Sequence, residues 1–73
     1  MSYEYSKLAG AIKEHCGTQA IFASKMGVSE RTISLKMNGI RDWRQNEIKK
    51  ACQILGIEEK DIPIYFFSII AQN

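Results

Sequence analysis

The chain predicts an all-α fold of four to five helices, with a short C-terminal β-strand as an open variant, and three observations point there. Apolar residues recur at helical spacing in several segments. Glycines punctuate those segments at Gly17, Gly27, Gly39 and Gly56, and Ser or Thr stands before several of them, where a side-chain oxygen caps a helix N-terminus. Seventy-three residues build one domain, residues 1–73, whose core is only marginally stabilising by itself, so dimerisation would help.

In chain order, Ser6 is expected to cap a first helix with Leu8, Ile12 and either His15 or Cys16 on one stripe, ended by Gly17. Thr18 caps a second helix from Gln19 to Met26, and Gly27 stops it. Ser29 caps a third, from Glu30 to about Met37, which Asn38-Gly39 closes with the two residue types that best tolerate left-handed backbone. A loop from Ile40 to Arg44 leads into a fourth helix whose Ile48, Ala51, Cys52 and Leu55 fall at i, i+3, i+4 and i+7, a core-facing stripe closed by Gly56. Glu58 to Ile62 add one further turn before Pro63, which biases Ile62 towards an extended conformation.

The tail, residues 64–73, is the most apolar stretch, and leaving it in water would be costly at about 1.5–3 kcal/mol for each large side chain. Tyr65, Phe66 and Phe67 are candidates to close the chain's own core. Phe67, Ile69 and Ile70 are the expected dimer interface, because β-branched and aromatic residues in short extended runs pair readily across a two-fold axis. An amphipathic C-terminal helix stays open.

No apolar run approaches the ~18 residues of a membrane span and no secretory signal opens the chain, so a soluble, cytoplasmic protein is expected. Cys16, Cys52 and His15 supply three metal-ligand candidates where tetrahedral zinc needs four, and neither a metal, a cofactor nor a small-molecule ligand is expected. Cys52 reads as a small core residue, and the expected compartment argues against a disulfide. His15 and Cys16 have no orienting acid beside them and no phosphate loop appears, so the chain is not expected to be an enzyme.

The second and third helices with their glycine turn have the spacing of a helix-turn-helix, in which small Ala23 lets two helices approach, Gly27 allows positive φ and Ile33 plugs the angle. Basic residues crowd here: Lys25, Arg31, Lys36, Arg41, Arg44, Lys49 and Lys50 face only Glu30, Asp42 and Glu47, whereas acids outnumber bases elsewhere. With Ile33 set inward, Arg31, Leu35 and Asn38 point away at about 160°, 200° and 140°, and Ser34 lies on the flank near 100°. Base-contacting candidates are therefore Ser29, Glu30, Arg31, Ser34 and Leu35. Arg31 suits guanine O6 and N7, and Leu35 is either a thymine-methyl contact or a singly exposed leucine. Glu30 fits cytosine N4, phosphate repulsion or the positive end of the helix dipole. Phosphate-contacting candidates are Thr18, Gln19, Thr32, Lys36, Asn38, Arg41 and Arg44, with Lys36 laying its stem along the core edge and reaching outwards. Trp43 either stacks near the sugar-phosphate backbone or anchors its loop onto the fourth helix.

The segment Gly17 to Ser34, followed by Leu-Lys-Met-Asn-Gly, resembles the helix-turn-helix of the phage repressor and Cro family, over roughly Leu8 to Ile57. That resemblance implies a lambda-repressor-like bundle of four or five helices that binds a double-stranded operator as a homodimer and represses transcription of a phage or prophage. Lys36 departs from it, because the family commonly has a large apolar residue there; Met37 is expected to take over the packing. The apolar tail resembles, in placement and composition, the Cro habit of dimerising through a C-terminal strand. Two alternatives are a DNA-binding antitoxin, whose tail would clasp a toxin, and a protein-interaction module that kept the fold and lost the groove contacts. The dimeric reading expects half-sites about one helical turn apart, roughly 34 Å. Selection from a random duplex pool should then enrich an inverted repeat, and charge reversal at Arg31 and Arg41 should abolish that binding.

Overall fold

A computed structural model describes residues 3–69. It is all-α with five helices: α1 (Ser6–Cys16), α2 (Gln19–Met26), α3 (Glu30–Met37), α4 (Gln45–Leu55) and α5 (Ile62–Phe66), the last preceded by a 3-10 turn at Glu59–Asp61. The C-terminal strand reduces to a single antiparallel bridge between Tyr3 and Ile69, beside which the Glu4 N–H donates to the Ser68 carbonyl at 2.8 Å.

The caps follow the sequence at α2 and α3. Thr18 Oγ1 accepts from the Ile21 N–H and Ser29 Oγ from the Thr32 N–H, each at 3.1 Å, satisfying donors that a helix start leaves without partners. At α1 the expectation is corrected: the N-cap is Tyr5 and Ser6 is already helical, its hydroxyl donating to Glu4 Oε2 at 2.6 Å instead. Gly27 ends α2 with φ 77°, the left-handed turn that sets α3 across α2. Asn38 keeps φ −93° and Gly39 takes the left-handed position.

Leu8, Phe22, Ile33, Leu55 and Phe66 are the largest fully buried side chains, one from each helix, so the core is a single cluster to which every helix contributes. The α4 stripe of Ile48, Ala51, Cys52 and Leu55 is buried as its spacing predicts. On α1 the stripe closes with Cys16, and His15 is exposed. Both thiols are free, and burial pushes that of Cys52 up.

Two expectations fail at the C-terminal end. Ile62 is helical (φ −52°, ψ −45°) despite Pro63, because α5 places proline in its first turn, where a missing N–H leaves no bond unmade. The turn delivers Phe66 to the core. Tyr65 is half-buried, and Phe67 stays 45% exposed with its ring 5.6 Å from Tyr3, edge to face.

Gly27→Ala should cost about 1–2 kcal/mol, because a Cβ there meets only ordinary contact with Lys50 Nζ and the cost is that of the left-handed backbone. Phe66→Ala should cost about 3–5 kcal/mol by removing a core ring. Chemical denaturation of both variants checks the two values.

Candidate interaction surface

The α2–α3 unit presents one outward face. At the start of α3 stand Glu30 and Arg31, both exposed, and no ion pair engages either among the described residues. Ser29 and Thr32 share a hydroxyl contact of 2.9 Å in addition to the cap, so both hydroxyls are already engaged in holding the helix start. Ser34 and Leu35 are half-buried, further in than the angular expectation put Leu35. Asn38 is exposed, yet its Nδ2 donates back to the Ser34 carbonyl at 2.9 Å and so serves the end of α3. Thr18 and Gln19 open α2 as expected, Thr18 with its hydroxyl in the cap and Gln19 half-buried.

Lys36 is the principal correction. Expected to reach outwards, it is 5% exposed, the only buried polar or charged residue among the described residues. Its ammonium donates to Glu47 Oε1 and to the Asp42 carbonyl, both at 2.9 Å, and lies 5.8 Å from the Trp43 ring centroid. The place where an apolar residue was expected by resemblance is thus filled by a buried cation. Met37 packs against the core beside it without replacing it. The same Glu47 oxygen accepts the Arg44 N–H at 2.8 Å, so one carboxylate caps α4 and holds α3. Burial alone would raise the Glu47 carboxyl pKa. The Lys36 hydrogen bond, the Arg44 N–H and the charges of Lys36 and Arg44 outweigh it and hold the group below the usual carboxylate range.

A second lysine, still exposed, ties two helices together. Lys50 Nζ donates to the Met26 carbonyl at 3.1 Å, capping the end of α2 from α4. Of the sequence's basic cluster, Lys25, Arg31, Arg41, Arg44, Lys49 and Lys50 are exposed cations with no ion pair among the described residues. Of these, α3 itself carries only Arg31.

The loop after α3 is tightly bound although it has no regular structure. Gly39 N donates to the Lys36 carbonyl at 3.1 Å, Ile40 and Arg41 N–H share the Leu35 carbonyl at 2.9 and 3.3 Å, and Lys36 holds the Asp42 carbonyl. Trp43 anchors it, edge to face on Phe66 at 5.4 Å, which decides between its two sequence readings in favour of packing, although the partner is α5. Its Nε1 is buried without a partner among the described residues. Asp42 and burial together raise the Tyr5 phenol pKa, burial foremost.

Sequence reasoning missed two exposed apolar side chains on this part of the molecule, Ile21 on α2 at 46% and Ile40 in the loop at 70%. An isoleucine between Asn-Gly and Arg, outside any helical stripe, was the available signal for the second. Of the expected dimer residues, Phe67 and Ile69 are exposed, Ile69 at 55%; Ile70 lies outside the described residues. Among the described residues no group of three or more His, Cys, Asp or Glu could hold a metal, and no helix is long and apolar enough to cross a membrane.

The family model described as "Protein of unknown function (DUF739)" matches residues 1–69. No curated protein matches. Among solved structures, the chain is similar to the solution structure of the modulator of repression of the temperate bacteriophage TP901-1 from Lactococcus lactis. The identity is 53%, the match covers 92% of this chain and 90% of that one, and the TM-score is 0.75.

Replacing Glu47 tests the buried pair. Its depressed carboxyl contributes stability that is present above the unfolded value of about 4.3 and is lost as pH falls through the lower folded value. Glu47→Gln should therefore be less stable than the parent at neutral pH, by about 3 kcal/mol if the Lys36 charge is left buried without a counterion. That gap should narrow once the pH drops below about 4, as thermal unfolding across pH 3–7 will register.

Proposed function

Because this chain belongs to the DUF739 family and is 53% identical to a phage modulator of repression, we propose that it is a phage regulatory protein acting on repression by docking on the repressor protein. The observation that carries this reading is the disposition of the cations. Operator reading asks for lysines and arginines ranged along the phosphates, yet on α3 Lys36 is spent on the Asp42 carbonyl and the Glu47 carboxylate, which leaves Arg31 as that helix's one outward cation. Exposed on α2 and in the loop after α3 are the apolar Ile21 and Ile40, the latter directly before exposed Arg41. Apolar groups edged by arginine suit a protein surface better than a phosphate backbone, where arginine is useful and isoleucine is not.

The second reading is the Cro/CI-type homodimeric repressor bound directly to a double-stranded operator. In its favour, Arg31 stands exposed at the start of α3, and Phe67 and Ile69 are exposed where a second subunit would pack. It would use Ser29, Glu30, Arg31, Ser34 and Leu35 on bases and Thr18, Gln19, Asn38, Arg41 and Arg44 on phosphates. Like the first reading, it places the protein in the cytoplasm of the bacterial host and involves no cofactor and no catalysis.

Calorimetric titration of the chain against the purified repressor of the same phage, and separately against operator duplex at two salt concentrations, decides between them. The docking reading expects a stoichiometric complex with the repressor and only weak duplex binding by the chain alone. Operator binding without the repressor, with log K falling against log salt at a slope near −5, would overturn it; that slope corresponds to about five or six neutralised phosphates.

A further inference from the structure

We infer that Ile40 is the anchor by which the chain seats on its protein partner, and that the buried Lys36–Glu47 pair exists to hold the Ile40 loop in its binding form. The inference rests on the reading that the partner is the phage's repressor protein.

Ile40 is 70% exposed, the most exposed large apolar side chain among the described residues, and its surroundings are hydrogen-bonded on both sides. Gly39, with φ 75°, turns the chain out of α3, and the N–H groups of Gly39, Ile40 and Arg41 all bond back to carbonyls of Leu35 and Lys36. On the far side, Lys36 Nζ fixes the Asp42 carbonyl and Trp43 packs on Phe66. A single exposed isoleucine on a mobile loop would need no explanation. One held out by four successive bonded residues is preorganised, and preorganisation removes the ordering cost that otherwise weakens binding.

The buried pair gives the second line of support. Taking Lys36 and Glu47 out of water is costly, and well-packed apolar side chains of similar volume serve stability as well or better at such a site. An apolar residue at position 36 could fill the core. It could not donate to the Asp42 carbonyl, and the far side of the loop would lose its side-chain tie to α3. The feature that the lysine alone supplies is therefore the loop's conformation. Next to Ile40, the exposed Arg41 has no ion pair among the described residues. By charge complementarity, the partner surface is an apolar hollow bordered by carboxylates.

The experiment is calorimetry of three variants of the full chain against the purified repressor of the same phage, with thermal unfolding of each. Ile40→Ala should keep the parent's unfolding temperature and bind about tenfold or more weakly. Lys36→Met combined with Glu47→Gln should unfold no earlier than the parent yet also bind more weakly, a split that a merely structural role would not produce. Adding Ile40→Ala to that double variant should cost much less than it does in the parent, because the anchor is already misplaced. If the parent binds the repressor and Ile40→Ala binds equally well, the anchor assignment is overturned while the docking reading stands. Equal binding by the double variant overturns the positioning role. If the parent binds no repressor, the docking reading fails and takes this inference with it. An equal loss of operator-duplex affinity in Ile40→Ala would assign the loop to DNA instead.

Discussion

One oxygen of Glu47 accepts both the Lys36 ammonium and the Arg44 N–H, and through that double contact the end of α3 is tied to the start of α4. Lys36 extends the link to the Asp42 carbonyl, and Trp43 extends it to Phe66 on α5. Three helices and the loop between two of them therefore meet at a small polar centre set against the apolar core. Such a centre is sensitive to imbalance: with both charges present each offsets the other's desolvation, and with one removed the survivor is buried alone. The depressed Glu47 carboxyl expresses the same balance in protonation terms.

This centre changes the electrostatic character of the surface. Counted along the chain, residues 25–50 look like a basic footprint for a polyanion. In three dimensions Lys36 turns inward to a carboxylate and a carbonyl, and Lys50, though exposed, ties its ammonium to the end of α2. In the loop after α3, exposed Ile40 stands directly before exposed Arg41, an apolar and cationic combination suited to a protein surface.

Much of the fold was legible in the chain. The bounds of α2 and α3, their Thr18 and Ser29 caps, the Gly27 turn and the α4 stripe all depend on contacts within a few residues, where side-chain type and spacing suffice. The Ser6 cap was misplaced because Glu4 lies two residues back and competes for the hydroxyl. Ile62 was read as extended because the local bias before proline was weighed without the gain from burying Phe66, a ring whose neighbours lie far away in sequence. Of the candidate surface, the exposure of Arg31 and Arg41 was legible from their positions, whereas the burial of Lys36 was not: its partner Glu47 is eleven residues distant on another helix.

The sequence by itself determined the number and ends of most helices, the single core, and the glycine turn that pairs α2 with α3, because these follow from short-range geometry and apolar periodicity. Tertiary structure alone decided which charges face solvent. A lysine carries the same charge in any sequence position, and only the presence of a carboxylate and a carbonyl within 2.9 Å makes burying it tolerable.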